Sequence, residues 1–536
     1  MSTRLDSGWV FFDAVAMNGP GQILPRAAQR FGERVALVTA TRTLSYRELD
    51  EGSNRVASAL RERGVRPGQV VSLYAQNRWE WVVSYHGALK AGAIVNPVNV
   101  MLTADELAYV LRDCGSAALF ASGDKIGGAL RAKKELPELR TIVAFDEPPV
   151  GAQATGSVPP SLSDVLAFGA LLASGAAGGV EPVSSEPRDA CTIGYTSGTT
   201  GYPKGAVQSH QAVLLNCALT ATMHGRDERD VVVTALPAPH VYGNVVINGT
   251  FLVGGTVVLM ERFAPAAALG LIAEHRATMF EGVPAMYAAM LVEPGLAGYD
   301  LRSLKRCTVG GQTIAIPVIE RWERVSGAPL IELWGMTELA GLGTTHALHA
   351  PPVPGSIGVA LPGIEVRVAD LEDKRRTAAP GVPGELMVRG PIVMNGYHGN
   401  ASATAEAIEP DGWLHTGDLA YASADGHFFV VDRLKDMIIT AGYNIYPAEI
   451  ERVLVEHPAV AAVAVAAVPD AMKGELACAY VVLRPGAAAS EPDIIAFTDD
   501  RLAAYKRPRL VRFLADLPKT SSGKVMRREL IKSFTP

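Results

Sequence analysis

Between residues 43 and 120, short apolar runs such as VVSLYA (70–75) and AGAIVNPV (91–98) alternate with stretches of helical period, and this alternation demands a layered α/β architecture. A continuous apolar run of four to eight residues reads as a strand covered on both faces, and the segments between such strands are the helices that cover them. The rhythm returns from Cys191 to about Trp334, with VVVTALPAP (231–239), GGTVVLM (254–260) and LKRCTVGG (304–311) as strand candidates. A chain of 536 residues is too long for one ordinary core, so two or more domains are expected. Residues 147–190, with PPVGAQATGSVPP (148–160) and SGAAGGVEPVSSEP (174–187), read as surface connections.

From Gly355 to Asp432 the pattern becomes short strands, GIEVRV (363–368), GELMVRG (384–390) and HFFVVD (427–432), separated by Gly, Pro and Asp turns. Asp425 and Gly426 before the last of these form a hairpin signal, because the turn needs positive φ. A small β-barrel or sandwich is expected here. PAEIERVL (447–454) starts a helix with Pro447 preset for its first turn and Ile450, Val453 and Leu454 on one face. An apolar strand (460–468), a second strand in CAYVVLRP (478–485) and a Lys/Arg-rich tail complete a compact α+β unit of roughly 100 residues. The boundary between the two is expected within 432–436, which gives domains 1–433 and 434–536.

A net charge of −6 gives no global attraction for nucleic acid or an anionic membrane, so a polyanionic ligand needs a local site. The five cysteines lie far apart and form no CxxC or Cys/His cluster. They suggest neither a disulfide framework nor zinc, and they read as small buried hydrophobes in a reducing compartment. The N-terminus MSTRLDSGWVFF has no leader pattern, and the longest apolar run (459–468) falls far short of the ~20 residues that cross a bilayer. A cytoplasmic protein is expected.

One stretch asks for a chemical reading. YTSGTTGYPKG (195–205) holds four Ser/Thr hydroxyls, three glycines and a lysine. Its spacing does not fit the GxxxxGK[ST] of a Walker loop. Gly198, Gly201 and Gly205 let the backbone wind tightly, while Thr196, Ser197, Thr199 and Thr200 present hydroxyls and Lys204 a point charge to an anion. A flexible linker is the bland alternative, but this run lies between a strand (CTIGY) and an apolar strand–helix stretch (GAVQSHQAVLL). WGMTE (334–338) follows the strand LIEL and sets a hydroxyl beside a carboxylate, a plausible Mg²⁺–phosphate contact. HTGDLA (415–420) carries Asp418, which reads as a turn residue or as an acceptor for ribose hydroxyls. KTSSGKVMRREL (519–530) is a solvated basic tail unless Lys524 is directed into a site.

Taken in order, YTSGTTGYPKG, LWGMTE, TGD, DRLKDMIITAGYNIYPAEIE and PKTSSGK resemble the adenylate-forming, acyl-activating superfamily of acyl-CoA synthetases, adenylation domains and luciferases, over about residues 24–530. The resemblance implies a large N-terminal domain of two α/β subdomains plus a β-barrel, with a small mobile α+β C-terminal domain. It implies a ligase in which a carboxylate attacks the α-phosphorus of Mg-ATP to give acyl-adenylate and pyrophosphate, after which coenzyme A displaces AMP. ATP, Mg²⁺ and CoA are the implied cosubstrates and metal. Thr196, Ser197, Gly198, Thr199, Thr200 and Lys204 would hold the β- and γ-phosphates, Thr337 the α-phosphate and Glu338 the Mg²⁺. Gly310, Gly311 and Gln312 would line adenine, with Trp334 where relatives often carry a tyrosine packed on that ring. Asp418 and Arg433 would take the ribose hydroxyls, and Lys524 would be the catalytic lysine. Lys435 falls at the pivot, and Gly442 marks the loop of the pantetheine tunnel.

By the same resemblance the acyl group meets residues 238–251, 279–287 and 339–343, with Val241, Tyr242, Asn244, Gly282, Gly341 and Leu342 in the pocket. His240 matches an aromatic gate position near the reacting carboxylate; a loop histidine bonded to backbone is the alternative. These three segments hold no Arg or Lys, which disfavours malonate-like diacids and leaves a medium- to long-chain fatty or an aromatic monocarboxylate. Transfer to a carrier-protein thiol and a non-catalytic AMP-binding sensor stay as alternatives. An amino-acid pocket is less favoured, because Pro239, His240 and Val241 stand where such pockets place an acidic residue. No nucleic acid or transmembrane segment is expected, and the oligomeric state is open, a homodimer among the alternatives.

Overall fold

Each block of alternating strand and helix folds into its own sheet in the computed structural model, which describes residues 17–134, 136–146, 165–196, 203–347, 349–440, 443–470, 472–519 and 525–532. The chain divides into two compact units. One comprises the described residues up to Pro354 with Gly358–Glu365 and Arg389–Leu414; the other comprises Gly355–Ile357, Val366–Val388 and the described residues from His415 onward.

In the first unit an eight-stranded sheet runs in the spatial order Gly396–Tyr397, Lys204–Ser209, Ala190–Thr196, Ile94–Pro97, Val70–Tyr74, Ser116–Ala121, Thr141–Ala144, Val165–Ala167. Its central strands pair in parallel, and Val70–Tyr74 is buried along its whole length, as an apolar run covered on both faces must be. A nine-stranded sheet follows the order Val359–Ala360, Gly341–Thr345, Leu330–Met336, Arg306–Val309, Met279–Gly282, Val231–Thr234, Thr256–Leu259, Val35–Val38, Thr43–Ser45. The strands expected in VVVTALPAP, GGTVVLM and LKRCTVGG are all present. Ser45 begins the helix Tyr46–Glu62 through a capping box with Glu48, and the buried Leu49, Val56 and Leu60 face the core.

Residues 147–190 are not only connection: Val165–Ala167 forms the edge strand of the eight-stranded sheet, and helix Phe168–Ser174 packs behind it with Phe168 and Leu171 buried. The stretch 148–160 lies outside the described residues. All five cysteines are free and buried, and among the described residues no helix is long and apolar enough to cross a membrane.

The strands expected from 363 to 432 form a four-stranded sheet in the order Glu365–Ala369, Gly384–Arg389, Leu414–Ala422, Phe428–Arg433. Gly426 takes φ of 87° in the turn before the last strand. A five-stranded sheet is built on the long hairpin Val460–Asp470 and Gly474–Leu483, and helix Pro447–Leu454 packs on it with Ile450 and Leu454 buried.

Candidate active site

A hairpin sets out the first group of polar side chains. Thr196 ends one strand directly opposite Lys204, which begins the antiparallel strand paired with it. Ser197, Gly198, Thr199 and Thr200 lie outside the described residues. Tyr397, on the short strand paired to Lys204–Ser209, brings its ring to 5.2 Å from Nζ of Lys204. The Tyr397 hydroxyl donates to Oε1 of Glu338 at 2.9 Å, and burial, followed by the Glu338 charge, pushes the phenol well above its ordinary pKa. Glu338 is buried at 7% exposure, and its carbonyl takes the Met394 N–H. Thr337 is held on the same hairpin, its carbonyl accepting from Nε2 of Gln208 at 2.8 Å. Gly194 makes that approach possible: a Cβ there would stand 2.7 Å from Cγ2 of Thr337. The paired strands thus gather Thr196, Lys204 and Thr337, and Tyr397 links Lys204 to Glu338.

Gly310, Gly311 and Gln312 follow the strand Arg306–Val309. Gly310 is packed so closely that a Cβ would stand 2.2 Å from Cδ1 of Leu333, and Gly311 takes φ of 86°, where glycine is favoured. Trp334, on the neighbouring strand, is buried and pairs with Thr344.

Of the residues expected to border the acyl group, several lie on or against the helix Val241–Val253. His240 is exposed and caps the helix Val241–Val253, its Nδ1 accepting the Tyr242 N–H at 3.3 Å. Its alternative reading, a loop histidine bonded to backbone, thus describes a contact it makes. Val241 is half-buried, Tyr242 is buried, and Oδ1 of Asn244 accepts from Nδ2 of Asn248 at 3.1 Å. Gly341 meets this helix: a Cβ on it would stand 2.7 Å from Cγ2 of Val245. Leu342, beside it, donates its N–H to Asn216 at 2.9 Å. Gly282 ends the strand Met279–Gly282, where a Cβ would crowd Phe280 and Met286.

In the second unit Asp418 does not cap a turn. It is 2% exposed in the strand Leu414–Ala422, in register with Arg433, whose Nε lies 2.5 Å from its Oδ1. Lys435 is exposed in the single turn Leu434–Asp436. Two contacts flank that turn. Asp432 accepts the Ala448 and Arg433 N–H groups, each at 2.8 Å, and Arg527 binds both oxygens of Glu451 and one of Asp436. Burial raises Asp432 to about 6, against the pull of those two backbone bonds. Gly442 and Lys524 lie outside the described residues.

Tyr397, Gln208, Asp432 and Arg527 have no place in the sequence-based site. NGYHGN (395–400) looks like an ordinary turn, and only the pairing of its tyrosine with the Lys204 strand brings it to Glu338. Among the described residues no group of three or more His, Cys, Asp and Glu could by itself hold a metal ion. A single buried carboxylate beside a lysine and two threonines suits a hard cation that arrives already bound to phosphate oxygens.

The fold, with its cation and hydroxyls at the mouth of a hairpin, is that of an enzyme built around a phosphorylated nucleotide. The chain is similar in structure to the anthranilate CoA ligase AuaEII solved with anthranoyl-AMP, with a TM-score of 0.87 and 29% identity over 96% of this chain and 97% of that one. The chain belongs to the AMP-binding enzyme family, whose model matches residues 24–398, and the model of the AMP-binding enzyme C-terminal domain matches residues 449–524. Among curated relatives, a long-chain-fatty-acid–CoA ligase of Bacillus subtilis (strain 168) is 33% identical over 96% of this chain and 94% of its own length. A feruloyl-CoA synthase of an Amycolatopsis species is 37% identical over 92% and 94%.

Proposed function

We propose that this protein is an AMP-forming acid–thiol ligase that converts a fatty or aromatic monocarboxylate to its CoA thioester. The gathering of Thr196, Lys204 and Thr337 on one pair of strands, with Tyr397 linking Lys204 to Glu338, carries the reading, because cation, hydroxyls and carboxylate there match a metal-bound triphosphate. Thr196 and Lys204, with Ser197, Gly198, Thr199 and Thr200, hold the β- and γ-phosphates; Thr337 contacts the α-phosphate and Glu338 the Mg²⁺. Bound there, Mg²⁺ offsets the negative charge of the phosphates. Gly310, Gly311, Gln312 and Trp334 take adenine, and the paired Asp418 and Arg433 take the ribose hydroxyls. The carboxylate oxygen bonds to the α-phosphorus, pyrophosphate leaves, and the CoA thiol then forms the thioester while AMP departs.

Lys524 meets the charge that develops as the acid is adenylated, a task for a preorganised cation. We place the division between an N-terminal domain and a mobile C-terminal domain at 433/434, with Lys435 as pivot and Gly442 serving the thioester step. His240, Val241, Tyr242, Asn244, Gly282, Gly341 and Leu342 border the acyl group. A cytoplasmic location suits five free, buried thiols.

Pyrophosphate release is to be measured across acetate, straight-chain acids from short to long, benzoate, cinnamates and malonate, with and without CoA. Release with a fatty or aromatic acid, followed by CoA-dependent AMP formation, is the expected result; no release with any acid rejects the reading. Lys524→Ala should slow acyl-adenylate formation by at least ~10²-fold while sparing thioester formation from supplied acyl-adenylate. Equal loss of both steps refutes the role of Lys524.

A further inference from the structure

Beside the helix Val241–Val253 the first unit buries two full charges that the reaction above does not use. Arg226 is fully buried, and its Nη2 lies 2.6 Å from Oε1 of Glu281, itself only 1% exposed. The other guanidinium nitrogen, Nη1, donates to the Val246 carbonyl at 3.2 Å and to Oγ1 of Thr250 at 2.8 Å, both on that helix. Oε2 of Glu281 accepts from Oγ1 of Thr308 at 2.8 Å, its register partner on the adjacent strand. Oγ1 of Thr308 stands 2.7 Å from the hydroxyl of Tyr242.

The direction of this chain follows from donor inventories. A guanidinium keeps its protons in a protein, and a carboxylate paired to it only accepts. The Thr308 hydrogen is thereby committed to Glu281, and the Tyr242 hydroxyl must donate to Thr308. A charge pair thus sets the orientation of a tyrosine two positions away on the chain from His240. Such a pair is poor value as a stabiliser, since well-packed apolar residues often serve as well or better; buried charges of this kind are better explained by what they orient. Both ends of this hydrogen-bonded chain adjoin, in sequence, residues proposed to border the acyl group: Glu281 directly precedes Gly282, and Tyr242 follows Val241.

We propose that Glu281 is a specificity-determining positioning residue: anchored by Arg226, it fixes Tyr242 through the Thr308 hydroxyl and so sets the wall of the acyl pocket. The inference rests on the ligase reading and on those pocket residues.

The test uses the full-length enzyme and the acid of the panel above that it converts fastest. Thr308→Val should raise the KM for that acid about 3- to 10-fold, with kcat and the KM for ATP within about twofold of wild type. Thr308→Ser, which restores the hydroxyl, should return the acid KM to the wild-type value. Tyr242→Phe should raise the acid KM to a similar extent, and the double variant Thr308→Val/Tyr242→Phe should be no worse than either alone, because both cut the same chain. Glu281→Gln, should it fold, joins this group; if it does not, the threonine and tyrosine variants decide. Parallel rises in acid and ATP KM, failure of Thr308→Ser to rescue, or additive effects in the double variant overturn the proposal while leaving the ligase reading intact. Conversion of no acid by wild type overturns the ligase reading, and this inference with it.

Discussion

Gly341→Ala should damage both stability and acid binding, by an amount that can be worked out from its surroundings. At φ of 154° the residue sits where side chains are strained, and an added Cβ would stand 2.4 Å from Oδ1 of Asn216 and 2.7 Å from Cγ2 of Val245. Asn216 is fully buried and cannot simply swing away. Its amide donates to the Leu339 and Leu342 carbonyls at 3.0 and 2.8 Å, and its oxygen takes the Leu342 N–H at 2.9 Å. Displacing it puts three buried bonds at risk, each worth about 1 kcal/mol net, while crowding Val245 adds about 1–3 kcal/mol. With partial relaxation, a loss of about 3–5 kcal/mol is expected; at ~2 °C per kcal/mol for a long chain, Tm falls on the order of 5–10 °C. Because Val245 belongs to the helix carrying Val241 and Tyr242, the acid KM should rise more than the ATP KM. Thermal unfolding and a KM split between acid and ATP read the two effects. Asn216→Ala supplies the control: in that background Gly341→Ala should cost at least ~1 kcal/mol less, since the bumped amide is gone. A Tm within about 1 °C of wild type with an unmoved acid KM, or an equal cost in both backgrounds, refutes this account.

Other variants probe the remaining parts of the site. Asp418→Ala should raise the KM for ATP at least ~10-fold and leave the acid KM nearly unchanged, because it removes a proposed ribose acceptor and leaves Arg433 unpaired beside it; an unmoved ATP KM counts against the ribose role. Tyr397→Phe keeps a ring beside Lys204 but removes the donor to Glu338, so the KM for Mg-ATP should rise about 3- to 10-fold, with a steeper dependence on Mg²⁺ concentration; an unaltered Mg²⁺ titration would show that this bond does not support Glu338. Asp432 has a folded pKa of about 6, raised chiefly by burial, against an unfolded value near ~3.9. Its folded form binds the proton more tightly, so the stabilisation is fully present below ~pH 4 and lost as pH rises through 6, by up to about 3 kcal/mol. Denaturant unfolding of wild type and Asp432→Asn should therefore show wild type losing ground to the variant between ~pH 4 and 7, and a constant difference across that range would exclude the assignment.

The α/β blocks were legible because their strands are buried on both faces, which writes an uninterrupted apolar run into the sequence. Val165–Ala167 and Phe168–Ser174 were not, for a local reason. The strand is three residues long and only half-buried at a sheet edge, and FGALLAS has no charged cap or polar face to mark it as a helix. Short edge elements take their stability from neighbours already in place, so local pattern carries little of it. Asp418 shows the same limit at the site. In sequence it is a carboxylate after a glycine, as suited to a turn as to a ribose; in the fold, strand register sets it opposite Arg433 and explains why the two motifs go together.

The motifs themselves were legible because their hydroxyls, glycines and lysines are contiguous in the sequence. Buried charge follows a different rule. The three acyl segments contain no Arg or Lys, and from that absence a diacid was disfavoured; yet Arg226, outside all three, lies 2.6 Å from Glu281, the residue next to Gly282. Segment composition therefore reached a conclusion whose physical basis it did not contain. Whether a cation is available beside the proposed acyl site depends on what cancels it, and Glu281 pairs with Arg226. Without that carboxylate, Arg226 would be a buried cation lacking a counter-charge beside the acyl-site strand, a setting in which a second substrate carboxylate would be attracted. If the proposed acyl residues border the substrate, the expected preference for a monocarboxylate depends less on the absence of arginine than on the presence of one glutamate.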